Sequence, residues 1–540
     1  MNTDIPGLLP RGNAFTIGYK GRHLYADQNP LQRCEERASS YIIEDYSLVL
    51  LASPLLWYGI DVLLEKLPPH CHLLCLESNE ALMNLGPPEE KAFLLQDPRV
   101  SHLKTADVTQ AISLLENLGP WRFRRCVLVT LNGAYALNAS LYRNFHQGLQ
   151  KSIETYWKNR MTMIHMAPLW IRHIFRNLML LPELRDAKTF TTELPVFVVG
   201  AGESLEVLLP FLKRLRSKFF LLSVDTALPI LLSEDLLPDA VLCLESQAAN
   251  LSDFIGSCHL AVPLFCDLLA HPETFRLLQG EKFVFLSTFS PNTLLERLEL
   301  TGLHPFSFPP LGSVGVAAIH LALQISKKEV FFAGLDFSFS PGKTHSRGSP
   351  EHLKELSSAF RLAPWISYNR TIEFPGYPEE ATNGRPVKTT LILETYRNTL
   401  ASMIQNTSRI FNLGEHGLKI PHAKNIDSKT AEGIISSYSP IPLQKDSPDL
   451  SPKYSLDKVV LFLQKEYALL RKVYNLGSAY LSIGSETAKK TFLDALEQCD
   501  YLLLHFPDPH RKSVCDTSFT ARVCTSAGHY MRVLESLLKI

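Results

Sequence analysis

The sequence has no surplus of charge of either sign: Lys plus Arg and Asp plus Glu each number 54 in 540 residues. Without a global field the chain is not drawn as a whole to nucleic acid or acidic lipid, and any anion binding has to be local. A membrane span is missing too. The most apolar stretch, residues 48–64, contains Pro54 and Asp61 and runs straight into Glu65, short of the ~20 apolar residues that cross a bilayer. A buried strand leading into a helix accounts for it. The chain starts Met-Asn-Thr-Asp-Ile-Pro, an acid and a proline where a secretory leader has a basic end and an apolar core, so a cytoplasmic location is expected. Ten cysteines are scattered, and the pair Cys71 and Cys75 has no second pair or histidine doublet at zinc spacing. They read as reduced core thiols, with neither a metal site nor disulfides expected.

What is present is apolar content, 46% of residues, in a chain too long for one core. At ~150 residues per domain it should divide into three or four units. In residues 1–150 the apolar runs 47–51, 72–76 and 126–131 alternate with helical stretches 58–66 and 109–118, the order of βαβ units with a parallel sheet. This first unit reads as Rossmann-like. Glu77 ends its second run, where an acid can hold a ribose hydroxyl, but the first loop, Ala52-Ser53-Pro54, lacks a glycine turn, which favours a scaffold without ligand. Residues 151–189 repeat at helical spacing and read as a connector. Its Arg160, Arg172, His173, Arg176 and Asn177 fit either a cleft or, more simply, a solvated or domain-facing surface.

A second α/β unit spans 190–425, with strand candidates at 195–199, 219–224, 240–244, 260–265, 282–286 and 329–333. Residues 426–454 turn polar and proline-rich, as an exposed linker does. Three helical patterns at 456–481, 486–505 and 517–538 then predict a C-terminal helical bundle. The fold class expected is α/β: two Rossmann-like units with mostly parallel sheets, plus that bundle.

The most informative feature is Val-Phe-Val-Val-Gly-Ala-Gly-Glu-Ser at 196–204, a strand ending in Gly200-x-Gly202-x-Ser204 ahead of an apolar helical pattern. Such a turn lets backbone approach a phosphate, and the amides at the helix start offer an anion site. Leu205 stands where the dinucleotide fingerprint has its third glycine, so a nicotinamide-type turn is not supported. Asp225-Thr226 and Gly334-Leu335-Asp336 follow other strands, and in parallel sheets ligands bind at the carboxyl ends, so these clusters and the Gly200 turn can share one crevice.

With these residues laid out, the chain resembles the motility accessory factors, the flagellin glycosyltransferase-like family of domain-of-unknown-function 115, whose core is similar to bacterial sialyltransferases. Those carry a strand followed by Gly-Asn-Gly-Pro-Ser-Leu, and residues 198–205 stand in its place. A second block joins Leu311-Gly312-Ser313-Val314-Gly315-Val316 and a helix to a strand ending in Gly334-Leu335-Asp336, and Gly342-Lys343-Thr344-His345 matches a tail common in the accessory factors. Val224-Asp225-Thr226-Ala227, Pro238-Asp239-Ala240-Val241 and a stretch from Thr389 to Gly417 add agreement. Two departures stand out: Glu203 replaces the usual proline and repels a phosphate unless it points away, and Glu245 sits where the family often has aspartate.

The resemblance implies transfer of a nonulosonic acid (pseudaminic, legionaminic or sialic type) from a CMP-activated donor to Ser or Thr of flagellin or another protein acceptor, with no metal strictly required. It assigns Gly200, Gly202 and Ser204 to the phosphate or ribose of CMP, Asp225, Thr226 and Glu245 to the nucleoside, and Gly312 and Ser313 to the phosphate or the sugar carboxylate. Asp336 and His345 become candidates for base or acceptor positioning, and Lys343 for charge toward the departing group. As plain structure, His345 fits a surface-loop histidine and Asp336 a turn or helix cap. Related domains in archaeal 6-hydroxymethyl-pterin diphosphokinases imply an ATP- and Mg²⁺-dependent alternative in which Asp225 and Asp336 bind the metal. A third reading is an inactive binding protein of flagellar assembly.

Overall fold

The computed structural model describes residues 5–85, 88–340, 342–362, 376–439 and 454–540. The chain forms two compact units, Met1–Ile164 and His165–Ile540.

The first unit opens with an antiparallel sheet of β1 (Gly7–Arg11), β2 (Ala14–Tyr19) and β3 (Arg22–His23), followed by helix α1 (Pro30–Ser40). Then β4 (Ser47–Ala52), α2 (Ile60–Lys66), β5 (His72–Glu77), β6 (Val100–Lys104), α3 (Val108–Leu118) and β7 (Arg125–Thr130) build a parallel sheet in the order β6-β5-β4-β7. Every residue of β4 and β5 is buried, which is why their runs are continuously apolar rather than alternating. Helix α4 (Ala139–Leu178) runs across the boundary between units, with Phe145 and Ile153 in a first-unit core and Ile171 and Phe175 in a second-unit core. Glu77 is taken up internally: its carboxylate accepts from Ser53 Oγ at 2.5 Å, the Asn79 amide at 2.8 Å and Tyr142 OH at 3.2 Å.

The second unit is organised by one ten-stranded sheet in which every pairing is parallel. Its strands are β8 (Arg185–Asp186), β9 (Val196–Val199), β10 (Phe220–Val224), β11 (Ala240–Cys243), β12 (Leu264–Asp267), β13 (Lys282–Ser287), β14 (Phe306–Phe308), β15 (Val330–Ala333), β18 (Ile410–Asn412) and β19 (Lys424–Asn425). The order is β14-β13-β12-β11-β10-β9-β15-β18-β19, with β8 added on β13, and a separate hairpin is formed by β16 (Tyr377–Glu380) and β17 (Pro386–Thr389). The order reverses direction beside β9, which puts a crevice between β9 and β15 at the carboxyl edge.

Helices α5 (Ser204–Leu215), α6 (Leu228–Ser233), α7 (Thr293–Leu300), α8 (Val314–Ile325), α9 (Pro350–Ser358), α10 (Leu391–Ile404) and α11 (Ser428–Ser436) accompany the sheet. Phe197, Phe220, Val316, Ile319 and Phe331 belong to the core of this half, each worth about 1.5–3 kcal/mol when buried. Three further helices, α12 (Leu456–Ile483), α13 (Glu486–Glu497) and α14 (Thr517–Leu538), bury Val459, Phe492 and Phe519 in one cluster with Leu264, Val284 and Leu294 of the sheet half. The C-terminal bundle is therefore packed on the α/β unit. Of the stretch read as a linker, 428–436 is helix α11, and 440–453 lie outside the described residues. Among the described residues no helix is long and apolar enough to cross a membrane.

Candidate functional site

Strands β9, β10 and β15 end at a cavity of about 440 Å³. Its lining includes Gly200, Gly202, Thr226, Ser313, Asp336 and His345, so six of the residues singled out in the sequence meet there. Ser204, Asp225, Glu245, Gly312 and Lys343 are not part of the lining. Ser204 lies directly behind it on Asp336, and Gly312 packs near Tyr396, itself a lining residue.

The glycines of the first turn answer to the neighbouring strand. A Cβ on Gly200 would meet the Gly334 carbonyl oxygen at 2.4 Å, and one on Gly202 would meet Asp336 Oδ2 at 2.5 Å. Gly334 has φ +70° and its own Cβ would strike Gly200 O at 2.2 Å, so the ends of β9 and β15 pass too closely for any side chain.

Three amides of this turn are bonded within the fold. Gly200 N donates to Ala333 O (2.9 Å), Gly202 N to Gly334 O (2.8 Å) and Ser204 N to Asp336 Oδ2 (2.9 Å). The anion at the start of α5 is thus the Asp336 carboxylate, which is the cap reading of that residue. Asp336 is buried, its Oδ1 has no partner, and burial pushes its pKa up. From the opposite side Ser346 donates through its amide to Ala201 O (2.8 Å) and through Oγ to Gly202 O (2.5 Å), while the His416 amide donates to Ser204 Oγ (3.2 Å).

Glu203 stays out of the cavity lining and accepts from Ser340 Oγ, with His416 Nδ1 at 3.5 Å. Lys343 pairs with Glu206 at 2.7 Å and lies 3.9 Å from Glu203, so its charge serves these two acids.

The amino end of α8 is different. Ser313 occupies the N-cap position, but its side chain makes no capping bond, and Ser313, Val314 and Gly315 all line the cavity. Helix α8 therefore presents uncapped amides and the positive end of its dipole to the space. Across from it, His345 Nδ1 lies 3.1 Å from Glu351 Oε2, both residues lining the cavity. A carboxylate on one ring nitrogen orients the imidazole and leaves the other for proton exchange.

Asp225, Glu245 and Asp253 form an acidic group beside Thr226. Thr226 donates its amide to Asp225 Oδ1 (2.9 Å), and its Oγ1 lies 3.4 Å from Asp253 Oδ2. Burial, then the Asp253 charge, raises Asp225 to about 7, and its Oδ2 has no hydrogen-bond partner. Glu245 is raised by the same two causes. Among the described residues no three His, Cys, Asp or Glu side chains are grouped as ion ligands.

Sequence reasoning missed Glu351 and Tyr396. Glu351 carried a signal: Ser349-Pro350 is a helix start, with Ser349 Oγ capping His352 N, and an acid belongs in that first turn. Tyr396 lies within a helix whose pattern shows only its apolar spacing.

Residues 172–342 match the family model of 6-hydroxymethylpterin diphosphokinase MptE-like proteins. An uncharacterized protein of Treponema pallidum (strain Nichols) is 29% identical over 561 residues, covering 99% of this chain and 96% of that one. A second uncharacterized protein of the same organism is 27% identical over 110 residues, 18% of this chain and 50% of that protein. The MAf glycosyltransferase from Magnetospirillum magneticum AMB-1 superposes with a TM-score of 0.56 at 14% identity, over 99% of this chain and 92% of that one. The resemblance to the motility accessory factors thus holds for the fold along the whole chain, with an MptE-like core in its middle.

Proposed function

We propose that this chain transfers a nonulosonic acid (pseudaminic, legionaminic or sialic type) from its CMP donor to a Ser or Thr hydroxyl of a protein acceptor such as flagellin, in the cytoplasm. The observation that carries the reading is one cavity that joins an uncapped helix start, Ser313 to Gly315, to the His345–Glu351 pair, in a chain with the fold of a MAf glycosyltransferase. The α8 amides suit the phosphate of CMP, because the Gly200, Gly202 and Ser204 amides are already bonded and the last of them faces the Asp336 carboxylate. Thr226, with Glu245 and Asp225 behind it, suits the nucleoside.

In the reaction the bond between the anomeric carbon and the CMP phosphate oxygen breaks, and the acceptor oxygen forms the new bond to that carbon. The electron pair leaves with CMP, where the α8 dipole stabilises the developing charge. His345 takes the hydroxyl proton through Nε2 while Glu351 holds Nδ1. Asp336 acts as a positioning residue for the turn, and Lys343 balances Glu203 and Glu206.

A second reading follows from the match of 172–342 to MptE-like diphosphokinases. In that case Asp225 and Asp336, each with one buried carboxyl oxygen that has no partner, would hold Mg²⁺, and the ion would neutralise phosphate charge. The test is a melting screen with CMP, CMP-sugars, ATP with Mg²⁺ and pterins, followed by transfer assays in chelator. Stabilisation by CMP and metal-independent transfer support the glycosyltransferase; stabilisation by ATP only with Mg²⁺, and none by CMP, refutes it.

A further inference from the structure

Arginines of the second unit commonly lie against a carboxylate, as Arg216 does against Asp239 (2.7 Å) and Arg297 against Glu466 (2.5 Å). Arg172, Arg176 and Arg532 do not. Arg172 and Arg176 stand one turn apart on α4, and Arg532 is on α14 beside exposed His529. Among the described residues no carboxylate pairs with any of the three, and Arg172 Nε is buried without a partner. Phe175 of α4 packs edge-on against Tyr530 of α14 with ring centres 6.0 Å apart, which brings the two helices together at this point, where Arg172, Arg176 and Arg532 all act on His529. The nearby acid, Glu273, is engaged by Arg276 at 3.3 Å.

The group adjoins the candidate site. The His271 amide donates to Glu245 O at 3.0 Å, and Ser246 Oγ to Leu269 O at 2.8 Å. His173, fully buried, bonds the same Leu269 oxygen through Nδ1 (3.1 Å), packs edge-on against His271 with ring centres 5.4 Å apart, and has no partner at Nε2. Loop 268–271 follows β12, so the cationic face lies on the same carboxyl edge as the cavity, three strand positions from β9.

Three guanidiniums within one field repel each other, and a fold carries that cost without return unless an anion shares it. Guanidinium forks match carboxylates two bonds at a time. We infer that the face of Arg172, Arg176 and Arg532 docks an acidic segment of the acceptor protein, a run of Asp or Glu near the hydroxyl to be modified. The word acceptor rests on the glycosyl-transfer reading; the docking of an acidic segment does not.

A peptide fits better than the other anions. Arg176, His529 and Arg532 are exposed and spread over two helices, an open face that suits a polymer. Nucleic acid would want stacking aromatics, but Phe175 and Tyr530, next to Arg176 and His529 in the chain, are buried, and Trp170 packs on Phe289 with ring centres 5.0 Å apart. Three strand spacings of ~4.8 Å make ~14 Å, which ~4–5 extended residues span, so the acids should sit about that far from the modified hydroxyl.

The test uses the full chain and fluorescein-labelled decapeptides, (Asp-Ser)₅ and (Asn-Ser)₅, with a labelled oligothymidylate, read by fluorescence anisotropy at low salt. The expected result is binding of the Asp peptide, binding at least tenfold weaker for the Asn peptide, and loss of at least tenfold for the Asp peptide in R172Q/R176Q/R532Q. Should the triple variant fail to fold, R176E/R532E, at exposed positions, must give the same loss. Equal binding of both peptides, or unchanged binding in these variants, overturns the inference. Oligothymidylate binding that exceeds peptide binding and is lost in the variants also overturns it, by assigning the face to nucleic acid. CMP melting shifts are read in parallel. If CMP gives no shift while Asp-peptide binding persists in the chain and is lost in the variants, the transfer reading fails and the docking face stands.

Discussion

The Ser204 amide donates to Asp336 Oδ2 over 2.9 Å, so the helix after β9 is capped by the third residue beyond the end of β15. The carboxylate is buried and the turn it holds is walled by Gly202. Asp336→Ala leaves a buried amide unpaired and should cost ~1.5–3 kcal/mol. Gly202→Ala forces a Cβ against Asp336 Oδ2 at 2.5 Å and Gly334 O at 2.8 Å, an overpacking cost of ~1–3 kcal/mol. Removing the aspartate removes one of those two clashes, so the double variant should lose less than the sum of the singles. Urea melts of the four proteins measure the coupling; strict additivity would mean the two residues do not share one constraint.

Asp225 makes stability depend on pH in an unusual direction. Its carboxyl titrates at about 7 in the fold, against 3.8 ordinarily, because it is buried and next to Asp253. Between these values the native state binds the extra proton, so this group's stabilisation is complete below pH ~4 and is lost as pH rises through ~7. The full displacement corresponds to on the order of 4 kcal/mol. Asp225→Asn cannot ionise and should flatten the melting profile over this range, with its largest gain over the parent at pH 8. A parent and variant that fall in parallel from pH 5 to pH 8 would show that Asp225 is not the group responsible.

Much of this fold is legible in the chain because the central strands are buried on both faces: Val196–Val199 and Val330–Ala333 are unbroken apolar runs closed by glycine. The edges are not. Phe306–Phe308 and Ile410–Asn412 are three-residue strands, too short for any period to show, and Val100–Lys104, at a sheet edge, has no fully buried residue. The small sheet from Gly7 to His23 exposes Leu8 and Phe15 while burying Thr16, Ile17 and Tyr19, so its burial does not follow the apolar pattern. At the site, the Gly200 turn is visible but its cause is not. Only the neighbouring strand shows that Gly200 and Gly202 make room for Gly334 and Asp336, and only the fold brings Glu351 onto His345.

Ser313→Asp separates helix stability from nucleotide binding. An aspartate at this N-cap supplies the missing capping bond and a favourable charge at the α8 start, worth ~0.5–1 kcal/mol. The same carboxylate occupies the amides proposed for the CMP phosphate and repels it. The variant should melt at or above the parent temperature while binding CMP at least tenfold more weakly by calorimetry. Unchanged CMP affinity would move the phosphate away from α8.

The His345–Glu351 pair makes a prediction in which two variants must rank. His345→Ala removes the proton acceptor and should lower transfer by ~10²–10⁴-fold, the usual range for a positioned acid–base group, with little change in CMP affinity because the ring serves the acceptor side. Glu351→Gln keeps a carbonyl oxygen at Nδ1, so the imidazole stays oriented, and its loss should be smaller, no more than about tenfold. A structural histidine would shift melting temperature and leave the transfer rate of the folded protein unchanged. Single-turnover transfer from the CMP donor, with melting curves on the same samples, distinguishes the cases. Equal rates for His345→Ala and the parent would remove His345 from the chemistry and leave the proton to another lining residue.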